Sequence, residues 1–235
     1  MSKPVQLPLS VRLADHATFS NYYPGINAVA LGYVERLCDL KVGWVESLIY
    51  LWGDKGVGCS HLLQAACLSF QQATKQAIYL PLNELITHPP AILENMESYD
   101  LVCLDDLQVI EGNNQWQEAI FHLFNRLIDS NKRLLIAANN APTGLPIELI
   151  DLVSRLSHSL IFQLHSLSDE DKLRALQLRA SRRGIQLTEE VGMFILNRGE
   201  RDMASLFQLL ELLDKASLAA KHKITIPFVK QVLNW

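Results

Sequence analysis

Gly53-Asp54-Lys55-Gly56-Val57-Gly58-Cys59-Ser60 is the stretch that decides the fold of this chain of 235 residues. Its glycines allow backbone N–H groups to turn inward and cradle phosphate oxygens, and the hydroxyl of Ser60 can reach a magnesium ion. The apolar run over 47–52 predicts a buried strand before it, and the run over 61–66 predicts a helix whose N-terminus faces an anion. These features together predict a phosphate-binding loop, whereas the glycines alone would also fit a surface turn.

A cysteine stands in this loop where phosphate-binding loops usually carry a lysine. Cys59 is either a small filler at the start of the helix or a thiol that the helix N-terminus acidifies. Lys55 lies on the outer turn of the loop, and we do not expect it to replace the missing charge. The loop is therefore predicted to hold a nucleotide but to stabilise charge on a γ-phosphate poorly.

The composition is that of an ordinary globular protein, with 49% hydrophobic and 20% charged residues. No apolar run reaches membrane-spanning length, and no signal-peptide pattern opens the chain. The cysteines show no paired metal-ligand spacing, and three of them sit in apolar or loop contexts that are typical of reduced intracellular proteins. We therefore expect a cytoplasmic protein with no membrane association. The four cysteines are Cys38, Cys59, Cys67 and Cys103.

The charges are unevenly distributed along the chain. Residues 1–165 hold 10 Lys/Arg against 16 Asp/Glu, and residues 166–235 hold 11 against 9. A protein that grips DNA through its phosphates usually presents a marked basic face. Direct tight binding to DNA is therefore disfavoured, although a small basic patch would escape this count.

Apolar strand-like runs alternate with helical periods in the first two thirds of the chain. Nearly continuous apolar strands separated by helices predict an α/β fold with a parallel sheet covered on both faces. One of the helices shows its core stripe through Trp116, Ile120, Leu123 and Leu127. The five predicted strands cover 47–52, 77–80, 101–104, 134–137 and 160–164.

After residue 165 the strand pattern ends and four helices are predicted. Their starts are marked by Ser168, by Thr188, by a position near residue 202 and by Pro227. The third should bury Met203, Leu206, Leu210 and Leu213. The predicted organisation is a flexible tail over 1–17, an α/β nucleotide-binding domain over 18–165 and a small all-helical domain over 166–235.

Two carboxylates, Asp105 and Asp106, end the buried strand that begins at Leu101. In open parallel sheets the ligand lies beyond the carboxyl ends of the strands. We therefore expect Asp105, with Ser60, to hold magnesium, and Asp106 to orient or activate an attacking water. Taken alone, such a pair more commonly caps the following loop.

The order of these motifs resembles the AAA+ ATPases, and in particular the nucleotide-binding core of the bacterial replication initiator DnaA. The resemblance spans residues 18–234 and implies an AAA+ P-loop NTPase core with a five-stranded parallel sheet and a helical lid. The residues that carry it are Thr18-Phe19, Asn21, Gly25, Asn27, 53–63, Leu104-Asp105-Asp106-Leu107-Gln108, Ala137-Ala138-Asn139, Ser154-Arg155-Leu156 and Arg201-Asp202-Met203.

Within this family the chain is most similar to the Hda branch, the DnaA-related regulators that inactivate the initiator. The sequence ends at Trp235, directly after the predicted lid, and the connection over 85–99 is short where initiators carry an extra helix. Gln6, Leu7 and Leu9 resemble a short extended peptide that docks on the β sliding clamp of DNA polymerase III. The resemblance therefore implies binding to the clamp and to DnaA, contact with DNA mainly through the clamp, and a homodimer.

The resemblance also assigns roles to single residues. Asn139 takes the sensor-one position near the γ-phosphate, and Arg201 the sensor-two position in the lid. A strand-ending asparagine and a solvated arginine at a helix start are the ordinary alternatives, and domain-edge packing is the alternative for the segment around the base. The implied nucleotide contacts are Tyr22, Tyr23, Pro24, Gly25, Gly53, Asp54, Lys55, Gly56, Val57, Gly58, Cys59, Ser60, His61 and Arg201.

Arg155 corresponds to the arginine finger, which reaches across a subunit interface to a neighbour's nucleotide. Without the resemblance, it would be a surface residue near a helix end. The implied function is a regulator that holds ADP or another nucleoside diphosphate, or ATP, with Mg²⁺, and that stimulates hydrolysis on DnaA while its own ATPase is weak or absent. The alternatives are an autonomous AAA+ ATPase that loads or remodels a helicase, and a binding adaptor with a vestigial pocket.

Overall fold

The computed structural model describes residues 17–39 and 47–235. A parallel sheet of five strands in the order β2-β3-β4-β1-β5 lies at its centre. The strands are β1 (Leu48–Trp52), β2 (Ala77–Pro81), β3 (Leu101–Asp105), β4 (Arg133–Ala138) and β5 (Leu160–Gln163). Each predicted run is confirmed as a strand, within one or two residues at its ends, and so is the α/β AAA+ fold class.

Helices join the strands and cover both faces of the sheet. The helices are α1 (Ala28–Cys38), α2 (Cys59–Gln72), α3 (Leu82–Leu85), α4 (Asn114–Asp129), α5 (Ile150–Ser157), α6 (Asp169–Arg182), α7 (Glu189–Arg198), α8 (Met203–Ala220) and α9 (Ile226–Leu233). Because side chains alternate along a strand, Ile49 and Leu51 pack with α1 and α2, while Tyr50 packs with α4 and α5. Two separate cores therefore hold the sheet.

The predicted core stripe of α4 is confirmed. Trp116, Ile120, Leu123 and Leu127 are all buried against the sheet. They recur at three- and four-residue spacing, which keeps them on one side of an α-helix. The helix begins after Asn113, whose side chain accepts a hydrogen bond from the N–H of Trp116.

The last four helices form a bundle with its own core, and the predicted starts are confirmed. Each helix follows a residue whose side-chain oxygen accepts a backbone N–H three positions on, which satisfies one of the free donors at a helix start. These caps are Ser168, Thr188, Asp202 and Thr225. Leu206, Leu210 and Leu213 are buried as predicted. Met203 is only half-buried, because it lies in the first turn of α8 beside a large cavity.

The segment over 18–27 connects the sheet to the helical bundle. Asn27 is buried and exchanges two hydrogen bonds with the backbone of His165, of 2.9 Å and 2.8 Å. Tyr23 donates its hydroxyl to Asp171 over 3.1 Å. Arg182 donates to the side chains of Ser20 and Asn21 over 2.8 Å and 2.9 Å. The segment is thus fastened along the length of α6.

The predicted clamp-binding residues Gln6, Leu7 and Leu9 lie outside the described residues. Across residues 17–39 and 47–235, no helix combines the length and the apolar character that crossing a membrane requires.

Candidate nucleotide-binding site

A cavity of about 1060 Å³ opens at the carboxyl ends of the strands, between the sheet and the helical bundle. Its walls come from the glycine-rich loop, the segment over 18–27 and the facing sides of α6 and α8. The structure therefore brings most of the predicted site residues to one place. The predicted residues on this cavity are Tyr22, Tyr23, Gly53, Asp54, Lys55, Gly56, Val57, Gly58, Cys59, Ser60, His61, Asp105, Asp106, Asn139 and Arg201.

Three predicted residues lie apart from this lining. Pro24 and Gly25 follow the two tyrosines, and Gly25 packs against Leu167 and Asp171 of the lid side. Arg155, on α5, is not among the described residues that line the cavity.

The loop conformation depends on its glycines, as Gly58 and Gly53 show. Gly58 has a φ of +106°, and a Cβ atom there would lie 2.7 Å from the ring of Tyr22. A Cβ atom at Gly53 would lie 2.4 Å from the carbonyl oxygen of Leu164. Gly58 also precedes α2, so the free N–H groups of that helix point into the cavity. The loop is therefore shaped to present donors to an anion.

Tyr22 covers this loop from the side of the N-terminal segment. Its hydroxyl oxygen is buried and has no hydrogen-bond partner of good geometry within the described residues. Burial, helped by Cys59 and opposed by Asn27, raises the pKa of Tyr22 to about 12. The ring lies 5.5 Å from that of His61, and His61 Nε2 lies 2.9 Å from the carbonyl oxygen of Thr18. A buried polar atom without a partner at this wall fits a polar ligand in the cavity.

Cys59 supplies no charge to the site. Burial is the main cause that raises the pKa of its thiol to about 12, and the charges of Asp105 and Asp106 act in the same direction. The first N–H groups of α2 oppose the shift only in part. The alternative of an acidified thiol at the helix start is therefore wrong, since desolvation outweighs the helix N-terminus. The thiol stays neutral at physiological pH.

Asp105 is 3% exposed and receives several hydrogen bonds. Tyr79 donates its hydroxyl to Oδ2 over 2.5 Å, and the N–H of Asp106 donates to Oδ1 over 3.0 Å. Burial raises the pKa of Asp105, while the hydrogen bonds from Tyr79 and Ser60 lower it. The sequence did not predict Tyr79 as a site residue, because its contact with Asp105 depends on the register of β2 against β3.

Gln108 links the second carboxylate to the end of β4. Its Nε2 donates to Asp106 Oδ1 over 2.9 Å, and its Oε1 accepts the N–H of Asn139 over 3.2 Å. One side chain thus fixes the position of Asp106 relative to Asn139. The sequence identified Gln108 as part of a motif but gave it no role.

The lid wall carries three cations, of which the sequence identified Arg201 alone. Arg201 is 64% exposed at its side chain and pairs with Asp169 over 3.4 Å. Lys172 pairs with the same carboxylate over 3.6 Å. Arg179 lines the cavity two turns further along the same face of α6. No sequence signal distinguishes Arg179 from its neighbours Arg182 and Arg183.

Ser60 and Asp105 lie together, as a magnesium site requires, and the Ser60 hydroxyl contacts the Asp105 carboxylate. No group of three or more His, Cys, Asp or Glu side chains is positioned to hold a metal ion within residues 17–39 and 47–235. These two oxygen ligands fit Mg²⁺ that takes its remaining ligands from phosphate and water, the usual arrangement at phosphate sites.

Arg155 lies on the exposed side of α5, between the buried Leu152 and Leu156. Within the described part of the chain, its guanidinium makes neither a hydrogen bond nor an ion pair. A free guanidinium on a short, anchored helix is available to another molecule.

Two family models match the chain and together cover most of it. The model of the bacterial DnaA ATPase domain matches residues 13–163, and the model of the Hda lid domain matches residues 169–233.

The chain belongs to the bacterial DnaA ATPase-domain family.

Together with its lid, this makes it an Hda-like, DnaA-related AAA+ protein, which confirms the resemblance found in the sequence. An uncharacterized protein of Haemophilus influenzae is 47% identical over 231 residues, covering 97% of this chain and 98% of that one.

Solved structures of DnaA share the fold. Domain III of Thermotoga maritima DnaA is 22% identical with a TM-score of 0.79, covering 95% of this chain and 98% of that one. AMPPCP-bound DnaA from Aquifex aeolicus is 23% identical with a TM-score of 0.75, covering 87% of this chain and 67% of that one. The DnaA-like architecture therefore extends through the sheet and the lid.

Proposed function

We propose that this protein is a negative regulator of chromosomal replication initiation that supplies Arg155 in trans to ATP bound by DnaA. A role in the control of initiation follows from its membership of the DnaA-related family with an Hda-type lid. The observation that carries the finer proposal is the exposed and unpaired guanidinium of Arg155, which lies outside the protein's own nucleotide cavity.

Arg155 is presented by a well-anchored element. Leu152 and Leu156 are fully buried beneath α5, so the helix cannot shift without disturbing the core. A guanidinium that enters a neighbour's site neutralises charge on the transferring phosphoryl group and accelerates hydrolysis by roughly 10³ to 10⁵-fold. Because α5 is anchored, Arg155 would enter such a site with little loss of backbone conformational entropy.

The protein's own cavity is better suited to holding a nucleotide than to hydrolysing one. Cys59 supplies no charge, so the contact that a loop lysine makes with phosphate is lost. Backbone N–H groups of the loop, Ser60 and Arg201 would still bind ADP or another nucleoside diphosphate. Mg²⁺ held by Ser60 and Asp105 would neutralise phosphate charge when bound. The nucleotide would thus fix the lid against the sheet.

Docking on the DNA-loaded β sliding clamp through Gln6, Leu7 and Leu9 is part of the proposal. It rests on the sequence, because these residues lie outside the described ranges. The excess of acidic residues over 1–165 favours contact with DNA through the clamp rather than directly. A homodimer that covers Arg155 until partners arrive is also proposed, and the molar mass in solution tests it.

The test is ATP hydrolysis by purified DnaA in the presence of DNA-loaded clamp. Arg155→Ala should lose stimulation by at least about a thousandfold, while clamp binding, ADP binding and melting temperature stay unchanged. Arg36→Ala is the matched control, since Arg36 is also an exposed arginine in the last turn of a helix. Full stimulation by Arg155→Ala would refute the finger, and deleting residues 1–11 separately tests clamp docking.

An autonomous AAA+ ATPase that acts as a helicase loader or remodeller is the second candidate. It is favoured by the presence of Asp105, Asp106 and Asn139 together on the cavity. Rapid ATP turnover by the purified protein without DnaA would support it. Clamp binding without any nucleotide binding would instead indicate a pure adaptor.

A further inference from the structure

Arg179 is a buried cation on the roof of the nucleotide cavity. It lies on α6, is only 9% exposed and lines the cavity. Its guanidinium carbon lies 4.4 Å from the centre of the Phe207 ring on α8. A cation in this position uses the face of the aromatic ring and leaves the N–H groups at the edge of its own plane free for hydrogen bonds.

The guanidinium of Arg179 has no anionic partner within the described residues. Asp169, the acidic residue that pairs with the other two lid cations, is shared by Lys172 and Arg201. Glu211 stabilises the charge from a distance, while Arg183 opposes it. Burial is the main cause that lowers the pKa of Arg179, yet an arginine remains charged in proteins. The site therefore contains a buried guanidinium that makes no direct ion pair within the described residues, with Glu211 as a more distant opposite charge.

A buried charge is costly unless it is paired. The guanidinium only donates hydrogen bonds, so its partner must be an acceptor. An anionic acceptor both pairs with the charge and accepts the hydrogen bonds of the guanidinium. In a nucleotide, the phosphates are the anionic groups.

The position of Arg179 is consistent with a contact to a phosphate that the loop holds, made from the lid side of the cavity. Asp202, which precedes α8, lies 3.9 Å from the place where a Cβ atom on Gly56 would stand. Phe207 follows five residues later, about 7.5 Å further along the helix. Arg179, which stacks on Phe207, therefore lines the same cavity as the loop but from the lid side.

We propose that Arg179 binds a phosphate group of the nucleotide and supplies from the lid the positive charge that is missing at position 59. The proposal rests on the proposed nucleotide binding and names the residue through which the lid recognises it. The ligand class is a nucleoside diphosphate or triphosphate, recognised by its phosphate oxygens and not by its base.

The test compares the binding of ADP, inorganic pyrophosphate and adenosine to the full chain by calorimetry. Arg179→Gln removes the charge and should weaken ADP and pyrophosphate binding by about tenfold to a hundredfold, the range of a charge-assisted hydrogen bond. Adenosine binding should change by less than about twofold. The matched control is Arg183→Gln, because Arg183 on the same helix end pairs with Asp214 over 3.2 Å.

Arg179→Met provides a second variant, since an apolar side chain of similar length suits a buried position beside Phe207. It should show the same selective loss of ADP and pyrophosphate. Wild-type affinity for ADP in either folded variant would overturn the proposal, and so would an equal loss of ADP and adenosine. If the wild-type protein itself bound neither ADP nor pyrophosphate, the proposed nucleotide binding would fail, and this inference with it.

Discussion

The hydroxyl of Tyr79 donates a hydrogen bond of 2.5 Å to Oδ2 of Asp105. Burial and the neighbouring Asp105 raise the pKa of Tyr79 above its usual range, so the hydroxyl keeps its proton and remains a donor. Oδ2 of Asp105, a proposed magnesium ligand, therefore already accepts a hydrogen bond from the protein. A magnesium ion that binds there has to share Asp105 with Tyr79.

Tyr79→Phe should destabilise the protein by about 1–3 kcal/mol at neutral pH, because an ionised buried carboxylate loses a donor. The folded-state pKa of Asp105 is raised above 3.8, so the folded protein binds the proton more tightly than the unfolded chain and loses stability as pH rises through that pKa. Removing Tyr79 raises this pKa further, and the deficit should therefore be larger at pH 8 than at pH 4.

Denaturant unfolding at both pH values measures this effect. Tyr33→Phe is the control, since the Tyr33 hydroxyl makes no hydrogen bond within the described residues. A deficit that stayed constant or grew toward low pH would contradict the role assigned to Tyr79.

Cys59→Lys should strengthen ADP binding by about tenfold to a hundredfold, because it restores a charge-assisted contact with phosphate. The new ammonium would also lie near Asp105 and Asp106, whose charges already act on position 59. Cys59→Met matches the size without the charge. Equal affinities of the two variants, measured by titration calorimetry, would show that the charge at position 59 is irrelevant.

Gly58→Ala should lower the free energy of unfolding by about 1–3 kcal/mol, the range for a residue held in a strained backbone conformation. Its Cβ atom would also displace Tyr22, so ADP binding should weaken in parallel. Gly32→Ala is the matched control, because nothing lies within 4 Å of its added Cβ in α1. That variant should gain about 0.5–1 kcal/mol. Thermal unfolding with and without ADP distinguishes the two, and an unchanged Gly58→Ala protein would argue against the loop geometry.

Gln117 connects α4 to the start of the helix that carries Arg155. It is 1% exposed; its Oε1 accepts the N–H groups of Glu148 and Leu149 over 3.0 Å each, and its Nε2 donates to the carbonyl of Ile110 over 3.2 Å. Gln117→Leu leaves these groups without partners and should cost at least about 2 kcal/mol.

Under the proposed function, Gln117→Leu should also reduce the stimulation of DnaA hydrolysis while ADP binding persists. Gln115→Leu, at an exposed position of the same helix, should change neither quantity. The assay of stimulated DnaA hydrolysis described for Arg155 measures this effect. Undiminished stimulation by a folded Gln117→Leu protein would show that Gln117 does not help to position Arg155.

The sequence predicted what depends on local pattern. Apolar runs located the five strands, and the spacing of residues such as Ile120 and Leu127 located the buried side of α4. Asp105 could be placed beside the loop because the carboxyl ends of parallel strands share one edge of the sheet. That inference needed only the strand type.

The contact of Tyr79 with Asp105, that of Gln108 with Asn139 and the position of Arg179 on the cavity could not be predicted, because each depends on a distant element. Tyr79 reaches Asp105 only through the register of β2 and β3. Arg179 is one of three arginines within five positions, and only the packing of α6 against α8 decides which one faces the cavity. The residue type alone does not indicate that a buried arginine would have no carboxylate in direct contact with it.

The hydrogen bonds from Tyr23, Asn27 and Arg182 have a mechanical consequence. Since they fix the segment over 18–27 to α6 and to the linker before it, any movement of the lid would carry this segment with it. A ligand that sets the tilt of the lid would therefore also set the position of Tyr22 at the wall of the cavity.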